Sequence, residues 1–183
     1  MSNLNERFAT LNIEDVLATA AEINEAIPAS ALLAATPTAV NIEIKIGGKK
    51  YISAYNGSGG NLAIGQPVLL QVSNTAGAEL QAITSATTAF PVRTGVVYGA
   101  ISATTELLWV QTEGVAEALV HDSGGDVAAA DFLEVIATGT AFVKDGAART
   151  ANSGAIAVDA QTLTANTLVT VVLIGEQHII AGS

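Results

Sequence analysis

Side chains that could bind or cleave a sugar lie together in one stretch, residues 107–120, which reads LLWVQTEGVAEALV. Trp109 could stack on a sugar ring, and Glu113 and Glu117 could act as general acid and base. Sugar sites usually need several aromatic platforms, whereas this chain has one Trp, three Tyr and four Phe. Alternation along the strand instead places Trp109 beside Gln111 on one face, and it predicts that Trp109 packs at a barrel end or a subunit contact.

A second group of polar side chains, residues 121–131, reads HDSGGDVAAAD. His121, Asp122, Asp126 and Asp131 have the oxygen and nitrogen atoms that could ligate a metal ion. The alternate ligands and closing Glu of an EF-hand are absent, and turns favour Asp and Gly for backbone reasons. We therefore expect a solvated loop with no metal site, and metal binding by this Asp-rich loop stays an open alternative.

Motifs for nucleophilic catalysis and phosphate binding are incomplete. The stretch NGSGG around Ser58 has Asn56 where a nucleophile elbow needs a glycine, and His121 and His178 are the only histidines available as bases. In the stretch ending IGGKK, Glu43 occupies the first glycine position of a phosphate-binding loop. The chain has no cysteine, so it has no thiolate nucleophile. These observations predict a protein that is not an enzyme, with no catalytic residues and no cofactor.

The composition narrows the set of partners. Seven Lys and Arg against 17 Asp and Glu give a net charge of −10, which repels nucleic-acid phosphates. The low charged fraction, 13%, favours a subunit that packs against other subunits. No window approaches the roughly 18 apolar residues of a spanning helix, and the N-terminus lacks the order of a signal peptide. We expect a soluble protein made in a cytoplasm, with no nucleic-acid or membrane partner.

Residues 1–38 are predicted to form an N-terminal α-helical arm. Asn12 supplies an N-cap, and Pro28 ends the helix. Apolar side chains at steps of three and four form one stripe, which needs a partner surface on either its own domain or a neighbouring subunit. The residues of this stripe that we expect to bind are Ile13, Val16, Leu17, Ile23 and Ile27.

Residues 39–183 are predicted to form a β domain, because the apolar period changes to two near Val40 and Pro37 marks a break. Gly47 and Gly48 are a two-residue hairpin signal. Gly114 permits a bend or bulge between two strands. The fold class is therefore mainly β, a small barrel or sandwich. The predicted strands include QPVLLQV, ELQAI, RTGVVYGAI, ELLWVQTEG, VAEALV, DFLEVI, TAFVKD and LVTVVLIG.

The pattern of these strands resembles the decoration, or cement, proteins of tailed bacteriophage capsids. The phrases IGQPVLL, GVVYGAI, WVQTEGVAEALV, AADFLEV and TLVTVVLIG carry the resemblance over roughly residues 60–176. Ala130-Asp131 stands where proteins of this kind commonly have Gly-Asp. The resemblance implies a β-barrel or tulip-like subunit, usually a homotrimer, on the outer surface of the virion head.

The resemblance also implies what the protein would bind. Its partner would be the major capsid protein, at the junctions where capsid subunits meet, and it would clamp them against internal DNA pressure. Modest contacts repeated on a symmetric lattice would gain avidity. Trp109 would lie at the barrel or trimer interface. Another phage structural role (head fibre, tail or baseplate) and a carbohydrate-binding β module are the alternatives.

Overall fold

The computed structural model describes residue 33 and residues 36–84, 91–99, 103–135, 140–146 and 153–175. The described strands belong to one unit of the chain, Thr36–Ser183. The predicted arm stripe, from Ile13 to Ile27, and His178 lie outside the described residues. The helical arm therefore stays a prediction.

Strands dominate the described part of the chain, which confirms the mainly β fold class. The predicted GG hairpin is present, since Gly47 and Gly48 have φ angles of +57° and +77°, as a tight two-residue turn requires. The strands are β1 (Glu43–Ile46), β2 (Lys49–Asn56), β3 (Pro67–Val72), β4 (Leu80–Ile83), β5 (Pro91–Tyr98), β6 (Leu107–Val120), β7 (Phe132–Val135), β8 (Phe142–Gly146), β9 (Ser153–Ala157) and β10 (Thr167–Leu173), and a 3-10 turn spans Asp122–Gly124.

Five strands close into a ring that we call the first barrel. Their order is β2, β4, β3, β5 and β6, and the antiparallel pairing of β2 with β6 closes the ring. Alternate residues of each strand point inward and build the core of this barrel. The core consists of Ile52, Ala54, Leu62, Val68, Leu70, Ala82, Val97, Leu108 and Val110.

The second barrel begins where the first one ends. The later half of β6 is followed around this ring by β10, β9, β7 and β8, and one parallel pair, Val120 with Phe142, closes it. Phe142 is fully buried in this barrel, and several other core side chains are alanines. Its core includes Ala116, Ala118, Val120, Val127, Leu133, Phe142, Ala155, Ala157, Leu163, Val169, Val171 and Leu173.

The strand β6 belongs to both barrels, and Gly114 marks the change. Residues up to Glu113 pair with β2, and residues from Gly114 onward pair with β10. Gly114 has φ +84°, and a Cβ there would lie 2.6 Å from the carbonyl oxygen of Gly48. Only glycine fits this bend without moving the backbone. The sequence predicted two strands separated by Gly114; the structure has one bent strand instead.

The two barrels have the same topology. Counting the strands of each barrel in chain order, the first runs parallel to the third and antiparallel to the fifth. The second pairs with the third and fourth, and the fourth pairs with the fifth. The described unit is therefore an internal repeat, and residues at the same place in the two barrels are called equivalent below.

The turn before the second strand of each barrel repeats bond by bond. In the first barrel, Gln66 N donates to Ala63 O (3.1 Å), and Ala63 N donates to Gln66 Oε1 (3.0 Å). In the second, Asp131 N donates to Ala128 O (3.2 Å), and Ala128 N donates to Asp131 Oδ2 (2.7 Å). The sequences before these turns, SGGNLA and SGGDVA, are also alike.

Candidate functional site

Trp109 lies on the outer face of the first barrel. In the strand register it stands between Ser53 of β2 and Tyr98 of β5. Its side chain is only 6% exposed, so it offers no open ring face on which a sugar could stack. Its burial therefore gives no support to stacking on a sugar ring, and a place for Trp109 at a trimer interface stays a prediction.

The side chains around Trp109 brace the barrel. Tyr51 and Tyr98, from the strands that flank β6, meet edge to face with ring centroids 4.9 Å apart. Burial, followed by the proximity of Tyr98, raises the pKa of Tyr51 to about 12. Gln111 Nε2 donates to Glu113 O (3.1 Å) and to Val115 O (2.8 Å), and these bonds hold the backbone on both sides of Gly114.

The two glutamates considered as a sugar-cleaving pair have separate partners. Glu113 lies 3.6 Å from Lys50 Nζ, which also contacts Glu43 at 2.9 Å. The hydrogen bond from Lys50 lowers the pKa of Glu43. Glu117 Oε1 accepts a 2.7 Å hydrogen bond from the hydroxyl of Thr170. Each carboxylate therefore ties neighbouring strands together, and the two stand on different barrels.

Asp131 is the most constrained side chain of the Asp-rich loop. Its Oδ2 accepts from Ala128 N and lies 2.8 Å from Lys144 Nζ. The hydrogen bond from Lys144, then that from Ala128, lowers the pKa of Asp131. Only 9% of its side chain is exposed, so this carboxylate serves a turn and an ion pair in the protein interior.

The other polar residues of the Asp-rich loop also hold backbone in place. Within the described ranges, no three His, Cys, Asp or Glu side chains form a group that could hold a metal ion. The loop is therefore fixed by its own acceptors, which is the turn chemistry expected for Asp and His. His121 Nδ1 accepts from Ser123 N (2.9 Å), Asp122 Oδ2 from Ala165 N (3.2 Å) and Asp126 Oδ1 from Leu163 N (2.9 Å).

Ser58 also has a structural partner. Its Oγ lies 2.7 Å from Asn56 Oδ1 and 2.8 Å from Gly60 O, and Ser58 N donates to the same Asn56 oxygen. An amide oxygen is not a base that could take the hydroxyl proton. The NGSGG stretch is therefore a braced loop at the end of β2.

Sequence reasoning missed a pocket of about 370 Å³ at one end of the first barrel, which we call the mouth pocket. Arg93 lines it from β5, with Glu43 and Glu79 also on its lining. Arg93 lies four residues before the core residue Val97 on the same strand, so the two-residue period of a strand predicts that both side chains point into the barrel. The apolar walls are Ile52, Leu70, Val72 and Leu80.

Sequence reasoning also missed an apolar row on the outside of the second barrel. Four residues stand side by side in register across β7, β9, β10 and β6. Val172 and Val115 are 39% and 46% exposed, and the other two are half-buried. This second outer row consists of Phe132, Ile156, Val172 and Val115.

Comparisons with known proteins give no family assignment. No protein-family description matches the chain, and no curated protein sequence matches it. Among solved structures, the N base of the head fibre protein gp8.5 of bacteriophage phi29 is similar over 70% of this chain and 98% of that one, with 18% identity and a TM-score of 0.45. This likeness is too distant to establish a common fold or function. Within the described residues, no helix has the length and apolar character to cross a bilayer.

Proposed function

We propose that the protein is a structural component of a tailed-phage head, which decorates the outer surface of the capsid at junctions between major capsid subunits. The sequence phrase with the strongest resemblance to decoration proteins, WVQTEGVAEALV followed by AADFLEV, covers β6 and the turn into β7. These residues join the two barrels. The resemblance therefore falls on the part of the chain that builds the fold.

One observation carries the proposal: the side chains that could have done chemistry are used to hold turns and strands together. Asp131 braces a turn, Glu117 ties β6 to β10, and Ser58 braces a loop. A catalytic acid or base needs a pKa matched to its task and access to substrate. A protein whose polar groups stabilise its own surface is suited to binding without chemistry.

The mechanism is adhesion by many weak contacts. Each subunit bridges neighbouring capsid proteins, and after the first contact forms the later ones take place at high effective concentration. A homotrimer would multiply these contacts again. The apolar stripe of the arm, which includes Leu17 and Ile23, supplies the anchoring surface. Trp109, only 6% exposed, would support a trimer contact from beneath by holding β6 against β2 and β5.

Electron cryomicroscopy of virions, with the chain labelled, tests the proposal. We expect label on the outer surface of the head, at the junctions of capsid subunits. Label on the tail or baseplate would contradict it, and label on a projecting fibre would favour the head-fibre alternative.

Binding to isolated heads tests the arm. In the full chain, Leu17→Asp or Ile23→Asp places a charge on the apolar stripe, and we expect cosedimentation with heads to weaken at least tenfold. Ala18→Asp is the matched control, because residue 18 lies off the stripe. Equal binding by all three variants would remove the arm from the mechanism.

A further inference from the structure

The outer face of the first barrel is covered by the second barrel. Val96 points outward from the first barrel, because its neighbour Val97 belongs to the first core, yet Val96 is part of the second core. It belongs to a row in register across β3, β5, β6 and β2, and all four members are buried. This first outer row consists of Pro67, Val96, Gln111 and Tyr51.

The first outer row packs against one particular end of the second barrel. Gln111 Nε2 bonds to the carbonyl of Val115, where the second barrel begins. Thr94, next to this row on β5, lies so close to Gly154 that a Cβ there would be 2.7 Å from Thr94 Cγ2. Val96 therefore enters the second barrel at the end formed by the start of β6's later half and the start of β9.

Within the part of the chain that the structure describes, the equivalent end of the first barrel is open. Ala116 and Val135 of the second barrel correspond to Ile52 and Leu70 of the first, and the latter two line the mouth pocket. The wall residue Val72 is 64% exposed. Where the second barrel has its end covered by an outer row, the first barrel has a pocket.

The second outer row is partly exposed, whereas the first outer row is buried. Its members Phe132, Ile156, Val172 and Val115 are equivalent, in order, to the four residues of the first outer row. They are more apolar than those equivalents, yet they remain partly exposed. The described unit therefore contains one copy of a row-to-end contact, together with one open row and one open end of the same kinds.

We infer that a second copy of this chain occupies both open surfaces: the second outer row of one copy covers the mouth pocket of the next. Inside each chain, the first outer row already covers the end of the second barrel, and the proposed contact between copies repeats this arrangement. The row carries no charged side chain, so it adds no negative charge to the two glutamates and the arginine that line the mouth pocket. The inference rests on the self-association in the proposed function and names its surfaces.

A contact between two different surfaces is heterologous. Such contacts close into a ring when the rotation between copies allows it, and they otherwise continue as a filament. A homotrimer of this kind would contain three identical row-to-end contacts and leave no open row.

Cross-linking tests the contact directly, because the native chain contains no cysteine that would react. Val72→Cys marks the mouth pocket, and Val172→Cys marks the second outer row. Mixed and treated with a short bis-maleimide, the two proteins should form dimers that contain one of each, whereas neither should form dimers alone. Dimers of Val172→Cys alone would indicate a row-to-row contact and overturn the inference.

Ile64→Cys and Leu168→Cys provide the matched controls. Both side chains are exposed, at 52% and 51%, and Leu168 lies on the same face of β10 as Val172, four residues away. This pair should cross-link far less than the pair of Val72 and Val172. Equal cross-linking of both pairs would mean random collision and would overturn the inference.

Light scattering of the purified full chain gives an independent reading. We expect a concentration-dependent oligomer whose dissociation constant rises at least tenfold in Val172→Asp and stays unchanged in Leu168→Asp, with circular dichroism confirming that both variants fold. A native chain that is monomeric at micromolar concentration and does not cross-link would overturn the inference. If that monomer still bound heads, the proposed function would stand without it.

Discussion

The two barrels make the same turn with different side chains. In the first barrel the turn is completed by the neutral amide of Gln66, and in the second by the carboxylate of Asp131, which also pairs with Lys144. An amide stays neutral at every pH, whereas a carboxylate loses its charge in acid. The hydrogen-bond geometry of a turn can therefore be kept while its response to pH changes.

The same turns also differ in backbone strain. Gly65 has φ +78° and its equivalent, Ala130, has φ +70°. Glycine adopts this conformation at no steric cost, whereas an alanine there costs about 1–2 kcal/mol. In the first barrel a side chain would also meet Leu168, whose Cδ2 lies 2.7 Å from the site of a Cβ on Gly65. Leu168 is half exposed and its end can move, so its approach adds to the cost set by φ without making glycine obligatory.

The largest effect is expected at Gly114, the residue at which β6 passes from the first barrel to the second. We expect Gly114→Val to lower the free energy of unfolding by about 3 kcal/mol or more, because the Cβ would press against the Gly48 carbonyl at a positive φ. Urea denaturation measures the change. Gly77→Val is the control, since its φ is +78° but no atom lies within 4 Å. Equal losses would mean that φ alone matters at Gly114.

The next largest effect should come from the charged turn. We expect Asp131→Asn to lower the free energy of unfolding by about 1–2 kcal/mol at pH 7, through loss of the bond with Lys144. The pKa of Asp131 is lowered in the folded protein, so its contribution is present above the unfolded pKa and is lost as pH falls through the folded pKa.

Urea denaturation at pH 7 and pH 3 distinguishes the two turns. The difference between native protein and Asp131→Asn should shrink towards pH 3. Gln66→Ala, which removes the neutral acceptor from the first turn, should cost about 1 kcal/mol at both pH values. A constant difference for Asp131→Asn would show that its charge does not stabilise the fold.

Exchanging the residues with positive φ should give effects of opposite sign. Ala130→Gly should raise the free energy of unfolding by up to about 1 kcal/mol, because it removes strain. Gly65→Ala should lower it by about 1–2 kcal/mol, through φ and the approach of Leu168. Thermal unfolding of both variants measures this. A loss of stability in Ala130→Gly would contradict the strain at that turn.

The smallest expected effect concerns Glu134, on β7 of the second barrel. Burial, and then the charge of Asp145, raises the pKa of Glu134. Its contribution to stability is therefore present below the unfolded pKa and is lost as pH rises through the folded pKa. Glu134→Gln should raise stability at pH 7 by up to about 0.5 kcal/mol. Glu106→Gln, on an exposed loop, is the control for charge removal in general.

Most strands were predictable because one apolar face alternates with a polar one, as in β1, or because an apolar run is bounded by turns, as in β3. The strand β9 was missed, because SGAIA looks like the end of a loop when only local sequence is read. Its pairing with β7 and β10 is a non-local fact. β6 was divided at Gly114, because a glycine within a strand commonly marks a break.

The internal repeat of the two barrels was not predicted from the sequence. SGGNLA and SGGDVA were visible in the sequence, but the strands that follow share register and not side-chain identity. Sequence reasoning recognised the Asp-rich loop as a turn. It could not show that Asp131 pairs with Lys144, or that Arg93, Glu43 and Glu79 line one pocket, because these residues lie on separate segments of the chain.

The passage of β6 through both barrels has a mechanical consequence. A force that pulls the two barrels apart must either stretch a continuous covalent backbone or shear two ladders of hydrogen bonds, one to β2 and one to β10. Each barrel takes one of its five strands from this continuous segment, so detaching the whole of β6 opens both barrels. We therefore expect the pair to unfold under load as one cooperative unit.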